Sequence, residues 1–74
     1  MDQWACELRE FNADGERIGE PTTATFGTYE QARAHAEAEV AKYPTRMAAV
    51  VFTLRRATPR PDASFVPGQI QDQH

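Results

Sequence analysis

FGTYEQARAHAEAEVAKYP, residues 26–44, is the stretch that decides the fold. Thr28 can cap a helix, and Gln31, three residues on, completes a capping-box pattern. Tyr29, Ala32, Ala36, Val40 and Tyr43 then recur at spacings of three and four, which is one stripe of an amphipathic helix. Arg33 and Glu37 stand one turn apart on the solvent side. Pro44 ends the helix, because its ring disfavours helical backbone at Tyr43 and it lacks a donor. The centre of the stripe is alanine, so the helix can lie close to a sheet.

Outward from this helix the period changes from helical to alternating. Downstream, Met47–Arg56 reads as a strand with Ala48, Val50, Phe52 and Leu54 on one face and Ala49, Val51, Thr53 and Arg55 on the other. Both faces are partly apolar, which predicts a central strand or one with its second face covered. Upstream, Trp4, Cys6 and Leu8 alternate with Ala5, Glu7 and Arg9, the pattern of a half-buried strand. Asp14-Gly15 supplies the turn, and Arg17–Phe26 is the returning strand. Pro21 places that strand at an edge, or breaks it.

After Ala57 the chain holds Pro59, Pro61, Pro67 and Gly68, and its last six residues are mostly polar. The expectation is therefore an α+β fold of ββαβ order over residues 1–57. It has a three-stranded antiparallel sheet with one helix on one face, and residues 58–74 form an irregular, Pro-containing tail. A loose tail predicts that removing residues 61–74 costs little stability. Phe65, Val66 and Ile70 are the apolar exceptions, suited to folding back over the open sheet face or to meeting a partner.

At 74 residues, 41% hydrophobic and 26% charged, the chain has the balance of one small globular domain rather than a disordered segment. The longest apolar run without charge is Met47–Leu54, far short of the about 20 residues a spanning helix needs. The first residues carry neither a basic segment nor an apolar core of the signal-peptide kind. A cytoplasmic protein is expected. Its thin core makes homodimerisation or a bound partner a reasonable expectation.

The residues with chemical potential are few. Cys6 shares a strand face with Trp4 and Leu8 and reads as a packed thiol. His35, with Glu39 one turn on, reads as a surface pair, and Glu37 and Glu39 do not share a helix face. His74 is terminal. One cysteine and two histidines are too few for a structural zinc site, and no glycine-rich phosphate loop is present. No enzyme activity, cofactor or metal is expected.

Charge is unevenly spread. Residues 1–27 sum to −4, residues 28–43 to −1, residues 44–60 to +4 and residues 61–74 to −2, for the net −3. Glu7, Glu10, Asp14, Glu16 and Glu20 are the candidate partner-binding residues, an acidic surface suited to a basic site on another protein. The alternative is a nucleic-acid-binding module using Arg46, Arg55, Arg56 and Arg60.

Two resemblances accompany these features. Trp4, the turn Asp14-Gly15-Glu16-Arg17 and Phe26-Gly27-Thr28-Tyr29-Glu30-Gln31-Ala32 resemble the arm-binding domain of phage-type tyrosine integrases, over residues 4–43. That likeness implies DNA binding by a three-stranded sheet, but the hairpin here lacks the family's basic run. Over residues 4–56, the hairpin, the Phe-x-Thr-x-x-x-Ala helix entry and the apolar return strand are similar to small phage and mobile-element proteins. Among proteins of that kind are inhibitors of host defence such as anti-CRISPR proteins. This likeness implies a non-catalytic inhibitor or modulator of a host protein complex.

Overall fold

The computed structural model describes residues 3–56 and 58–73; the reading of His74 lies outside the described residues. Strand β1 (Trp4–Phe11) and strand β2 (Arg17–Phe26) form a hairpin. Helix α1 (Tyr29–Lys42) follows, then strand β3 (Met47–Thr53) and strand β4 (Ile70–Gln73). The sheet order is β2-β1-β3-β4, with β1 antiparallel to both neighbours and β4 parallel to β3.

The α+β class, the single helix and the three expected strands stand. The expected sheet is corrected in one respect. It has four strands and is mixed, because part of the tail expected to be irregular becomes β4. The segment between β3 and β4 crosses the sheet face opposite the helix, as a parallel pairing demands a crossover. β3 also ends at Thr53, not Arg56. Thr53 pairs with Trp4, the first residue of β1, so the ladder runs out there. A turn with Arg56 N–H donating to Thr53 C=O at 3.1 Å follows.

Alternation sorts the side chains into two layers. Cys6, Leu8, Ala49 and Val51 face the helix and pack on Ala32, Ala36 and Val40. Ala5, Val50 and Phe52 face the other way, beneath Leu54, Ala63 and Phe65 of the crossover. The helix begins as expected, with Gln31 N–H donating to Thr28 Oγ1 at 3.2 Å. Tyr43 leaves the predicted stripe. It is 49% exposed, because it is the C-cap and its backbone turns the chain into β3.

The helix is also tied to β4. Arg33 donates to Glu37 and to Asp72, each at 3.0 Å, and the Tyr29 hydroxyl hydrogen-bonds Asp72. Partial burial and that carboxylate hold the Tyr29 phenol above its ordinary value. Exposed pairs of this kind contribute about 1 kcal/mol at most, so they orient β4 more than they stabilise it.

The hairpin carries a register irregularity. Its turn closes through Asn12, whose Oδ1 accepts from the N–H groups of Asp14 at 3.0 Å and Glu16 at 2.9 Å. The register runs Leu8 opposite Thr22, then Glu10 opposite Ile18. Arg9 alone therefore faces Gly19, Glu20 and Pro21, a bulge in β2. Gly19 takes φ +70°, a backbone region that glycine occupies at little cost. Pro21 sits in this bulge on an edge strand, where a missing ladder donor is tolerated.

Candidate functional site

Gly19, Glu20 and Pro21 bulge out of the β1–β2 ladder while Arg17 and Ile18 stay paired with β1, and a groove lies between the bulge and the helix. Strand alternation and the helical period fill it from three elements. Leu8 and Glu10 come from β1, Ile18 and Glu20 from the bulged part of β2, and His35 and Glu39 from successive turns of α1. The groove is about 300 Å³, and no Lys or Arg lines it. Its walls are partly apolar, since Ile18 is 41% exposed and Met47 lies half-buried beside Leu8.

The five acidic residues do not act as one surface. Glu10 and Glu20 are exposed and meet in this groove. Glu16 joins them around the bulge opening, which Arg9 and Arg17 line as well, and Asp14 stays exposed in the turn. Glu7 is on the other side of the sheet. It pairs in register with Val50, is half-buried, and accepts from Arg9 at 3.4 Å. Counting charge along residues 1–27 pools side chains that period-2 alternation sends to opposite faces.

The arginines are dispersed as well. Arg46 precedes β3 beside the hairpin turn, where its carbonyl accepts from Phe11 N–H at 2.7 Å. Arg55 and Arg56 follow the other end of β3. Arg60 lies in the crossover, with its backbone N–H donating to Gln73 Oε1 at 2.8 Å.

Sequence reasoning missed two contributors to the groove. His35 is half-buried, not a surface residue, and its ring lies 5.2 Å from that of Phe26. Glu39 lines the same groove, ion-paired with Lys42 at 3.4 Å. The signal was their one-turn spacing, which aims both at the same neighbouring element.

Cys6 is fully buried beneath the helix. Burial, and then the nearby Glu39 and Glu7, push its thiol up to about 12, so the thiolate needed for nucleophilic attack is suppressed. Among the described residues, no cluster of three or more His, Cys, Asp or Glu is arranged to hold a metal ion. No described helix is long and apolar enough to cross a membrane. Chemically, the groove suits a cation on an aliphatic stem, the charge meeting the carboxylates and the stem lying on Ile18 and Met47.

Family models, curated proteins and solved structures yield no match to this chain. The phage-protein and integrase likenesses therefore rest on the quoted residues alone.

Proposed function

We propose that this chain is a non-catalytic binding domain that docks a basic segment of a partner protein in the groove of Glu10, Glu20 and Glu39. In this reading it acts in the cytoplasm as a phage-type inhibitor or modulator of a host protein complex. One observation carries the proposal. Carboxylates from a strand, a bulge and a helix converge on a half-apolar groove that no Lys or Arg lines, with Glu39 already paired to Lys42 and Glu10 and Glu20 exposed. A Lys or Arg side chain there gains charge pairing and covers Ile18. The nucleic-acid alternative is weaker, because Arg46 and the Arg55–Arg56 pair stand at opposite ends of β3.

Affinity capture from bacterial lysate tests this, with the unaltered chain and a Glu10→Lys/Glu20→Lys variant compared, each with and without nuclease. The expected result is a protein set that survives nuclease and is lost from the variant. Equal recovery on both baits would overturn the groove as the docking site. Recovery that vanishes with nuclease would move the function to nucleic acid.

A further inference from the structure

The hairpin has a second cleft on its other side, with the opposite charge. Arg9 projects to the tail side of β1, with Glu7 and Phe11. Arg17 pairs in register with Phe11, so it projects to that side as well. The crossover closes over them and leaves a cleft of about 510 Å³, lined by Arg9, Phe11, Arg17, Pro61, Ser64 and Phe65 among others. No carboxylate lines it. In a chain of net charge −3, two guanidinium groups thus share an opening with no acid in its wall.

The two arginines are in different states. Arg9 is held in place. Its Cζ lies 4.1 Å from the centre of the Phe65 ring, and its Nη2 reaches Glu7 at 3.4 Å. Its Nε is buried and has no acceptor. A buried donor left unpaired costs about 1–3 kcal/mol, and the long Glu7 contact uses only one of the group's five N–H donors. Arg17 is exposed, and no ion pair to it occurs among the described residues.

We propose that this cleft binds a small oxyanion, of the phosphate or carboxylate class, between the guanidinium groups of Arg9 and Arg17. A planar guanidinium presents paired donors that match two oxygens of one anion. Arg9 is already fixed by Phe65 and Glu7, so little side-chain entropy remains to be lost there on binding. Phe11, Pro61 and Phe65 flank the two guanidinium groups, and the exposed lining of the cleft is mostly polar. The Ser64 hydroxyl offers a further donor. The cleft lies on the sheet face opposite the acidic groove, while at the bulge Arg9 and Arg17 also border an opening with Glu10, Glu16 and Glu20; anion binding in the cleft does not rest on the docking reading.

A ¹⁵N-resolved NMR titration decides it. The full chain is titrated with sodium phosphate and, separately, with sodium acetate, against sodium chloride at matched ionic strength and constant pH. The expected result is saturable shifts at the Arg9 and Arg17 Nε–H groups and at the Ser64 and Phe65 amides. Arg17→Gln, on an exposed side chain, should weaken the response about tenfold while leaving the rest of the spectrum in place. A charged hydrogen bond of about 1.5 kcal/mol corresponds to that factor. Saturation with phosphate only would assign a phosphate ligand, and saturation with acetate only an acidic side chain or small carboxylic acid. Shifts matched by chloride, or unchanged by Arg17→Gln, would overturn the site.

Discussion

On its helix side the sheet is closed by Ala32, Ala36 and Val40, three side chains placed by one local repeat. On its tail side it is closed by Leu54, Ala63 and Phe65, which come from a crossover whose described residues hold no helix or strand. The first cover holds itself in shape through its own backbone hydrogen bonds. The second is held by the parallel pairing of β4 and by separate contacts, such as Gly68 N–H to Met47 C=O at 2.8 Å, Arg60 N–H to Gln73 Oε1 at 2.8 Å and Arg9 over the Phe65 ring. Yet Val50 and Phe52 are as fully buried as Cys6 and Val51. A core layer therefore needs cover but not regular cover, and an irregular cover depends on a few distant anchors.

The largest effect should come from breaking the helix side. Ala36 is fully buried against Cys6, Leu8 and Val51. Ala36→Asp would place a carboxylate there with no partner, a cost of several kcal/mol, comparable to the whole stability of a domain this small. Circular dichroism should show an unfolded chain at 25 °C. A cooperative thermal transition near that of the unaltered chain would mean the helix can lift away without loss of the fold.

Removing residues 61–74 attacks the other side. It deletes β4 and Phe65 and uncovers Ala5, Val50 and Phe52. Re-exposing even part of Val50 and Phe52, with the β4 ladder lost, should cost about 3 kcal/mol or more. A loose tail predicts almost no change, so the urea midpoint separates the two pictures directly. An unshifted midpoint would show that the tail-side layer is dispensable and the helix-side layer alone holds the fold.

What the sequence made legible follows the same division. α1, the hairpin and β3 each carry a local signal: the Thr28 cap with its 3-and-4 spacing, Asp14-Gly15, and the apolar run from Ala48 to Phe52. β4 carries none. Ile-Gln-Asp-Gln is short and polar, and its strand identity comes from pairing with Ala49–Phe52 some twenty residues away in the chain. The role of Phe65 was partly visible, as one of three apolar residues in a polar tail, and it does cover the open face. Val66, grouped with it, stays 42% exposed, and Ile70 packs toward the helix side through β4. The candidate site was half legible. Glu10 and Glu20 were named, but the bulge that brings them together depends on a register slip between Leu8 and Glu10. No local motif announces that slip beyond Gly19 and Pro21.

The mildest change tests whether one anchor governs the irregular cover. Gly68 stands at φ +85°, and a Cβ built on it would lie 2.8 Å from the carbonyl oxygen of Pro44. That oxygen is backbone at the end of the helix turn, so it cannot swing aside as a side chain would. Gly68→Ala thus meets both left-handed strain and a clash, together about 1–3 kcal/mol if the anchor is kept. The alternative open to the variant is to release residues 66–70 from Pro44 and Met47. Amide hydrogen exchange distinguishes the two. The expected outcome is faster exchange at Ala49, whose N–H donates to Gln69 C=O at 3.1 Å, with the exchange of helix amides such as Val40 changed much less. Equal acceleration at Ala49 and Val40 would mean that the two covers open as one unit, and that the helix side also depends on the tail's anchors.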